Sequence, residues 1–441
     1  MKNKIVFVSI LFLFACSFVK GQNPIIKDFG MADPHCYIFN NKAYLFTTRD
    51  EDPKAKGFVM PDWQIWSSDN LVDWKMERRI LPTETYMGKS TKCWATETAT
   101  KNGKYYFYFS NGNINTGVMV ADKPEGPYID ALGKPMLDVD LTSTKEYDPT
   151  VLVDDNGEAY IVFGHYRDDD KNLNWYIAKL NEDMISLAEQ PKEIVLKNVL
   201  DFMKANDKPN LHKRNGIYYL SAGTHYAISK NVYGPYTVVG SSGNNKYGLD
   251  SRAHGNYFTW NNQWFHTWCH FHLGKEVAYY RESYMTYLHY KDDGSMVDDV
   301  DYLEAHFATG VGQYDANWDF IQAEWYMKAL GLEKKECPLG GFEIQKIQNN
   351  GTLVYPNIKN LEKKKSINFY LSSKNGGIIE VHDKSANGKL LGTSKIPKTG
   401  NWSSYQNLNC TLNNLKDVKD ICIVFKGDTA DIAHLDRFQF N

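Results

Sequence analysis

The sequence repeats one hairpin pattern five times between residues 33 and 266, and this repeat limits the folds that the chain can adopt. In each copy an Asn-Gly, Asn-Asn or similar turn lies between apolar runs, which is a signal for a β-hairpin. The turn positions are Asn41, Gly103, Gly157, Gly216 and Asn262. They lie 62, 54, 59 and 46 residues apart, spacings that are typical of propeller blades and too irregular for a solenoid. We therefore predict an all-β fold in which five blades of about four strands each form a propeller over residues 24–315.

Each repeat has one residue, eight or nine positions before its turn, that would begin the innermost strand beside the central axis. These residues are Asp33, Trp94, Asp148, Asp207 and His254. Taken singly, each has a structural explanation, because Asp-Pro pairs often start turns and Trp is usually a core residue. Three carboxylates at equivalent positions are different, since gathering like charges is costly and is normally tolerated only for function. We expect these residues to converge on one mouth of the channel.

Composition excludes some classes of partner. The chain has 53 acidic and 50 basic residues, so its formal net charge of −3 provides no overall attraction to nucleic acid or to anionic membranes. Its 29 Tyr and 11 Trp residues favour all-β structure and surfaces for sugar stacking, and a neutral polysaccharide or oligosaccharide is the partner that fits best. The cysteines show no C-x-x-C spacing, although Cys410 and Cys422 are able to pair. The oligomeric state stays open.

The first 21 residues have the pattern of an export signal. Met1-Lys2-Asn3-Lys4 precedes a mainly apolar run over residues 5–19, which is too short for a membrane span. We predict a bacterial signal peptide over residues 1–21 and a secreted or periplasmic protein without a membrane span. Cys16 lies in a sequence similar to a lipoprotein box, so lipid anchoring through Cys16 is the alternative.

Facing carboxylates in an exported, aromatic-rich protein predict glycoside hydrolysis. In this reaction one carboxylic acid protonates the leaving oxygen, while a second carboxylate activates water or attacks the sugar. A third carboxylate can tune the pKa of the acid and orient it.

Several short motifs resemble glycoside hydrolase family 43, and the resemblance runs through all five blades. They are Ala32-Asp33-Pro34-His35, Trp94-Ala95, Glu146-Tyr147-Asp148-Pro149 and His212-Lys213-Arg214-Asn215-Gly216. The resemblance implies a five-bladed propeller, commonly an inverting arabinofuranosidase, xylosidase, arabinanase or galactosidase. It also implies roles for four residues: general base for Asp33, pKa modulator for Asp148, sugar-binding wall for Trp94, and an axial position that helps hold a metal ion or water for His254.

The general acid is the point where the chain departs from this family. The family usually has a Glu, often as Glu-x-Pro, shortly before the hairpin of the fourth blade, whereas this chain has Asp207-Lys208-Pro209. Asp207 is one methylene shorter, and a misplacement of about 1 Å can cost on the order of a hundredfold in rate. Three interpretations stay open: Asp207 is the acid, Glu97 or Glu282 replaces it, or hydrolysis is weak or lost. Lys208 is expected to point away from the site, because neighbours in a strand face opposite sides.

Two features of the fifth blade invite a functional interpretation. Arg281 could hydrogen-bond sugar hydroxyls in the site through its forked guanidinium, or it could form a surface salt bridge. On a strand His266, His270 and His272 share one face, which suggests a metal site. Strand packing or sugar contact is favoured instead, because the run contains no carboxylate and its Cys faces the other way.

Beyond residue 317 the repeat ends and a different pattern begins. Residues 366–371 alternate like a half-buried strand, residues 421–425 form a continuous apolar run, and turn-rich segments separate such strands. We predict a β-sandwich, jelly-roll-like module over residues 321–441. Motifs such as Gly388-Lys389-Leu390-Leu391-Gly392-Thr393 resemble a family 6 carbohydrate-binding module.

The resemblance to this module implies two sites. Gln322, Glu324 and Asp436 would hold a structural calcium ion through hard oxygen atoms, and a solvated polar edge is the alternative. Tyr355 and Trp402 would stack on sugar rings, or they are plain core residues.

We therefore expect an exported, exo-acting glycosidase that needs no cofactor for its chemistry. It would remove terminal arabinofuranosyl, xylosyl or galactosyl groups from a polysaccharide or oligosaccharide with inversion. The alternative is a non-catalytic or weakly active carbohydrate-binding propeller, in which Asp207 marks a lost acid. The sequence does not select the sugar, because these sugars differ by few groups and the loops between blades choose among them.

Overall fold

The structure, a computed structural model, describes residues 19–20, 22–167, 169–170, 172–201, 204–250, 253–271 and 279–441. Within these residues the chain forms 37 strands and one α-helix, α1 (Val300–His306), besides short 3-10 turns. Most of the predicted leader, Cys16 included, lies outside the described residues, as does His272. In the part of the chain that is described, no helix has the length and apolar character needed to cross a membrane.

Five antiparallel four-stranded sheets follow one another along the chain and confirm the five predicted blades. A short strand, β1 (Val19–Lys20), adds to the outer edge of the first. From the axis outward, blade 1 contains β2 (Met31–Phe39), β3 (Lys42–Arg49), β4 (Trp63–Ser68) and β5 (Asp73–Ile80), and blade 2 contains β6 (Cys93–Lys101), β7 (Lys104–Asn111), β8 (Asn115–Ala121) and β9 (Ile129–Asp130). Blade 3 contains β10 (Thr150–Val153), β11 (Ala159–Gly164), β13 (Trp175–Lys179) and β14 (Lys192–Glu193), and blade 4 contains β17 (Asn210–Arg214), β18 (Ile217–Ala222), β19 (His225–Ser229) and β20 (Tyr236–Ser241). Blade 5 contains β21 (Gly255–Trp260), β22 (Gln263–Phe271), β23 (Arg281–Tyr290) and β24 (Met296–Asp298). Three short strands lie between blades: β12 (Tyr166–Arg167), which pairs with β16 (Ala205–Asn206), and β15 (Leu196–Lys197), which pairs with β20.

The hairpins between the two inner strands of each blade explain the repeat. In four of the five, both central residues have positive φ, as a type I′ turn requires. These pairs are Asn40 and Asn41, Asn102 and Gly103, Asn215 and Gly216, and Asn261 and Asn262. Asn and Gly tolerate this left-handed backbone better than other residues, which is why the repeat was visible in the sequence.

The innermost strands β2, β6, β10, β17 and β21 contact one another in a ring around the axis. Blade 5 closes the ring on blade 1 through the side chain of Asn256. Its Oδ1 accepts from the backbone N–H of Cys36, and its Nδ2 donates to the carbonyl oxygen of Cys36, each at 2.9 Å. One buried amide therefore joins the first and last blades.

The C-terminal part forms two facing sheets, as a β-sandwich does. One contains β28 (Glu333–Glu336), β29 (Phe342–Gln345), β37 (His434–Phe440), β32 (Ser366–Ser372) and β35 (Gln406–Thr411), with β26 (Ile321–Gln322) also on β37. The other contains β27 (Lys328–Leu330), β30 (Thr352–Tyr355), β36 (Ile421–Lys426), β33 (Gly377–Asp383) and β34 (Leu390–Ile396). A parallel pair, β25 (Tyr314–Asp315) with β31 (Ile358–Lys359), links the segment after the propeller to the sandwich.

The propeller and the sandwich share buried contacts. One hydrophobic cluster runs from blades 1 and 5 into the sandwich, and Trp325 lies within it. The indole Nε1 of Trp325 donates to Asp299 Oδ2 at 2.6 Å, just before α1. Lys334 of β28 donates to Gln263 Oε1 at 2.6 Å and to the carbonyl oxygen of Leu288 at 3.1 Å, both in blade 5.

The possible disulfide between Cys410 and Cys422 is absent. Both thiols are free and buried, and they lie in β35 and β36, which belong to opposite sheets. The prediction was wrong because a sequence separation carries no information on which sheet each strand joins.

Candidate active site

The innermost strands surround a cavity of about 790 Å³ at one end of the propeller axis. It is lined by all five residues that the repeat placed at the starts of these strands: Asp33, Trp94, Asp148, Asp207 and His254. The repeat therefore predicted the location of the site. The volume lies within the range of about 300–1,000 Å³ that is typical of ligand pockets.

Backbone geometry aims two of the carboxylates at this cavity. Asp33 lies where the pairing of β2 with β3 shifts register between Ala32 and His35, and its φ is 48°. Asp148, two residues before β10, has a φ of 56°. A left-handed backbone costs roughly 1–2 kcal/mol for most L-residues, and Asp is one of the few that adopt it locally. Register shifts of this kind redirect side chains beside active sites.

The carboxylate of Asp33 is almost fully buried and surrounded by donors; the residue is 1% exposed. Arg281 Nη1 and His254 Nδ1 each donate to Oδ1 at 2.8 Å, and Thr48 Oγ1 donates to Oδ2 at 2.8 Å. Burial alone would raise the pKa of Asp33, but the charges of Arg281 and His254 hold it well below its usual range. Asp33 is therefore ionised, which is the state that a general base needs.

His254 lies between the carboxylates of Asp33 and Asp207. While Nδ1 contacts Asp33, Nε2 lies 3.1 Å from Asp207 Oδ2. Burial opposes the charged ring, but Asp207 and Asp33 together raise the pKa of His254 to about 10. The ring is therefore an imidazolium that donates to both carboxylates.

A metal ion at the axis is a weaker interpretation. One ligand atom each of Asp148, Asp207 and His254 lie within 4.8 Å of one another, close enough to hold an ion. A histidine ligand must be neutral, however, and both nitrogens of His254 already face carboxylates. The donor set fits a protonated histidine better than the metal ligand that the sequence suggested.

Asp148 and Asp207 form a coupled pair whose members differ in burial. Asp148 is 3% exposed, whereas the side chain of Asp207 is 34% exposed. Burial and the neighbouring charge of Asp207 raise the pKa of Asp148. Burial would also raise the pKa of Asp207, but His254 outweighs it and the pKa is lowered. In the resting structure the proton of the pair therefore lies on Asp148.

Arg281 lines the cavity, and its guanidinium binds two buried carboxylates. Nε and Nη2 donate to the two oxygens of Asp50 at 3.0 and 3.1 Å, while Nη1 donates to Asp33. The residue is 7% exposed, so its salt bridges are buried and not at the surface as the alternative proposed. Arg281 orients Asp33 and compensates the charge of Asp50.

Lys208 points away from the cavity into the protein, and it is not among the described residues that line the cavity. The residue is 2% exposed, and its Nζ lies 2.9 Å from His35 Nε2. Strand alternation is not the reason for this orientation, because Asp207 and Lys208 precede β17, which begins at Asn210.

Neither alternative acid is among the described residues that line the cavity. Glu97 is completely buried, and its Oε1 accepts from the Tyr37 hydroxyl and from the backbone N–H of Thr98. Glu282 is 1% exposed, and its Oε1 accepts from the backbone N–H of Asp28 at 2.7 Å. Among the described carboxylates that line the cavity, Asp207 is more exposed than Asp33 and Asp148, and neither glutamate replaces it there.

Aromatic rings form one wall of the cavity. Trp94 lies in this wall, as predicted, and packs edge-on against Phe58 and Tyr147 with ring centroids 6.1 and 6.4 Å apart. Tyr279 packs edge-on against Phe58 at 5.0 Å. Sequence reasoning missed Phe58, Tyr147 and Tyr279, although Tyr147 directly precedes Asp148 and could have been found from that position.

Among the described residues, His266 and His270 belong to no group of side chains that could hold a metal ion. His266 Nδ1 donates to Asp298 Oδ1 at 2.8 Å, and its ring stacks on Tyr257 with centroids 4.3 Å apart. His270 lines the axial cavity. Packing and cavity lining thus account for these two.

Comparison with known proteins agrees with the geometry. The profile of glycosyl hydrolases family 43 matches residues 21–296. The chain belongs to this family. A second profile, of the family 6 carbohydrate binding module, matches residues 322–441 of this family 43 glycosidase.

Relatives of this family 43 chain include proteins that match over most of its length. An arabinoxylan arabinofuranohydrolase of Paenibacillus polymyxa is 27% identical over 95% of this chain and 74% of that protein. One of Bacillus subtilis (strain 168) is 26% identical over 96% of this chain and 93% of that protein. A crystal structure of a Bacillus subtilis family 43 arabinoxylan arabinofuranohydrolase in complex with cellotetraose covers 95% of this chain and 97% of its own, with 25% identity and a TM-score of 0.57.

The C-terminal sheets of the family 43 enzyme offer oxygen atoms for a cation. Gln322 Oε1 and Glu324 Oε2 are buried and have no hydrogen-bond partner among the described residues. Burial, with the charge of Asp299 added, raises the pKa of Glu324 well above its usual range. Asp436 lies next to Arg437, the residue that pairs with Gln322. The unpartnered oxygens of Gln322 and Glu324 fit the predicted Ca²⁺ ligands, whereas the carboxylate of Asp436 is paired with Arg437.

Tyr355 and Trp402 have different surroundings. Tyr355 is 0% exposed, its hydroxyl donates to the carbonyl oxygen of Ala323 at 2.7 Å, and its ring packs against Phe438. The sugar-stacking prediction for Tyr355 is wrong because β30 turns this side chain into the core between the sheets. Trp402 is half-buried, and its ring stacks on His434 with centroids 4.2 Å apart.

Proposed function

We propose that this family 43 glycosidase removes terminal arabinofuranosyl groups from arabinoxylan. Two relatives with matches over 95% and 96% of the chain are named arabinoxylan arabinofuranohydrolase, and these matches include the C-terminal module. Other relatives are named xylosidase/arabinosidase and β-D-galactofuranosidase, but they match 62% and 54% of the chain. Xylosyl and galactosyl groups are therefore the competing substrates.

The proposed reaction is a single displacement with inversion. The observation that carries it is the placement of Asp33 and Asp207 on opposite nitrogens of His254, at 2.8 and 3.1 Å. The imidazole ring separates these two carboxylate oxygens, and inverting enzymes hold their carboxyl groups farther apart, at about 6.5–9.5 Å, than the roughly 5–5.5 Å of retaining ones. This spacing leaves room for a water molecule beside Asp33.

In this mechanism the residues have distinct tasks. Asp33, ionised and oriented by Arg281 and Thr48, removes a proton from the attacking water. Asp207, the more exposed member of the acid pair, delivers a proton to the glycosidic oxygen. In the resting pair Asp148 holds that proton. It passes the proton to Asp207 when the negative charge developing on the leaving group raises the proton affinity of the glycosidic oxygen. No cofactor is needed for these steps.

A product analysis tests the reaction. Wild type is incubated with arabinoxylan and with aryl arabinofuranosides, xylosides and galactosides, and the anomer released first is followed by proton NMR. We expect arabinose of inverted configuration and at least a thousandfold loss for Asp33→Asn. An exposed matched variant, Asp155→Asn, should keep the wild-type rate. Release of xylose or galactose instead would contradict the proposed substrate, and a retained anomer would contradict inversion.

The C-terminal module is proposed to contribute calcium binding and sugar contact. Gln322, Glu324 and Asp436 would hold Ca²⁺, which would offset the buried negative charge and play no part in the hydrolysis. Trp402 would contact sugar with the ring face that His434 does not cover.

Export through a leader over residues 1–21 is likewise part of the proposal.

A further inference from the structure

A buried hydrogen-bond path behind the cavity joins the two segments that carry the reacting carboxylates. Lys208 directly follows Asp207, and His35 lies two residues after Asp33. Lys208 Nζ lies 2.9 Å from His35 Nε2, and His35 Nδ1 lies 3.0 Å from the carbonyl oxygen of Asp33. The path runs from blade 4 to blade 1 across 173 residues of sequence.

The chemistry of the two ends decides the protonation of His35. A carbonyl oxygen only accepts, so His35 Nδ1 must carry the hydrogen that faces Asp33. Nε2 then has a free lone pair, and the ammonium of Lys208, which only donates, fills it. Burial and the charge of Lys208 lower the pKa of His35 well below its usual range, which agrees with a neutral ring.

The hydrogen bond to His35 is the shorter of the two that the ammonium of Lys208 makes within the described residues. Its second contact is the carbonyl oxygen of Pro209 at 3.4 Å, and it does not line the cavity. Burial lowers the pKa of Lys208, and the charges of Glu97 and Asp148 act in the opposite direction. A buried charge without such partners would be strongly destabilising, so these two carboxylates help to keep Lys208 charged.

Asp207 needs an anchor because regular structure does not hold it. It lies between β16, which ends at Asn206, and β17, which begins at Asn210. One hydrogen bond from Trp175 Nε1 reaches its carbonyl oxygen at 3.2 Å. The acid is also one methylene shorter than Glu, so its carboxyl reaches the substrate only if its backbone is fixed.

We propose that Lys208 and His35 are positioning residues that set the reach of Asp207 relative to Asp33. The proposal rests on the proposed roles of Asp33 as base and Asp207 as acid. Lys208 fixes the segment of the acid, and His35 passes that restraint to the left-handed backbone of Asp33, where φ is 48°. Neither side chain needs to touch the substrate.

A leaving-group series tests this role. Lys208→Met keeps most of the length of the unbranched side chain and removes the donor. A misplaced acid harms substrates whose leaving group needs a proton, so we expect a loss of about a hundredfold in kcat on arabinoxylan oligosaccharides, with little change in KM. On an aryl arabinofuranoside with a strongly acidic phenol the loss should be less than about fivefold.

The matched control is Lys334→Met, which removes another buried lysine contact far from the cavity and should leave the leaving-group dependence unchanged. Equal losses of Lys208→Met on all leaving groups would overturn the proposal, since a purely structural role predicts that result. His35→Phe should give the same pattern, and the double variant should lose no more than the worse single variant. Losses that multiply would also overturn it.

A spectroscopic readout does not depend on activity. Nitrogen-15 NMR of histidine-labelled wild type should show His35 as a neutral ring protonated on Nδ1 between pH 5 and 8, and Lys208→Met should shift its Nε2 signal. A charged His35, or one protonated on Nε2, would overturn the link even in an active enzyme. A wild type with this spectrum that hydrolyses no glycoside would instead contradict the proposed function, so the two failures are distinguishable.

Discussion

Asp33 and Asp207 contact opposite nitrogens of the same imidazolium, His254, at 2.8 and 3.1 Å. These two ion pairs connect blade 1, which carries Asp33, and the segment before blade 4, which carries Asp207, with the start of blade 5 at His254. They also lower the pKa of both carboxylates, against the effect of their burial, and they separate the carboxylates by the width of a ring.

The His254 contact predicts a stability that falls with rising pH. The pKa of His254 is raised to about 10 in the fold, above its ordinary value of about 6.5, so its contribution is complete below pH 6.5 and is lost as the pH rises through 10. Relative to His254→Gln, wild type should lose up to about 1.4 kcal/mol of unfolding free energy per pH unit in between. Urea unfolding at pH 6, 7, 8 and 9 measures this slope. Parallel curves for the two proteins would contradict it, and His382→Gln in the module is the control.

Substitutions of Asp207 should separate proton delivery from binding. Asp207→Asn removes the carboxylate that delivers the proton to the glycosidic oxygen, and it should lower kcat on oligosaccharides by about 10²–10⁴-fold with little change in KM. Asp207→Glu restores a carboxyl with a longer reach and should retain at least a tenth of the wild-type rate. Initial rates on arabinoxylan oligosaccharides check both. Hydrolysis at the wild-type rate by Asp207→Asn would show that another group is the acid.

Arg281 should matter for stability as much as for activity. Arg281→Met leaves Asp50 and Asp33 buried with one cation fewer, and we expect about 3–5 kcal/mol of lost unfolding free energy. Adding Asp50→Asn should recover part of that loss, because the orphaned charge is then removed. Denaturant unfolding measures both variants. Arg79→Met, at a side chain that is 48% exposed, should cost less than about 1 kcal/mol.

Calcium should stabilise the enzyme through the module. At a concentration of CaCl₂ about 100 times the dissociation constant, the unfolding free energy should rise by about 2.7 kcal/mol, and a chelator should reverse this. Glu324→Gln should weaken the response, since Glu324 supplies a buried oxygen without another partner. Thermal unfolding with and without CaCl₂ checks it, with exposed Glu336→Gln as the control. If the melting temperature of wild type changes with neither CaCl₂ nor chelator, the proposed calcium site is contradicted.

Much of the propeller could be predicted because its signals are local. A type I′ turn needs left-handed backbone at two neighbouring residues, so Asn and Gly mark each hairpin, as at Asn102 and Gly103. Counting back from those turns located the residues of the cavity, because the innermost strands all begin near the axis. The same reasoning did not reveal Asp50, which reaches Arg281 from 231 residues away.

The failures share a different cause. Lys208 was expected to lie in a strand whose alternation turns it away from the site, but it lies before β17, and it is the contact with His35 that fixes its direction. Tyr355 was expected at a sugar-binding surface, and β30 places it in the core. In both cases the outcome depends on partners that are distant in sequence.

The sequence by itself determined the five blades, the sandwich and the place where Asp33, Asp148 and Asp207 meet, because turn chemistry and repeat length are written in neighbouring residues. Only the tertiary structure decided which carboxylate holds the proton, that Arg281 binds Asp50 and Asp33, and that Lys208 contacts His35. Charges and pKa values depend on burial and on distances across the axis, and these exist only after all five blades have closed.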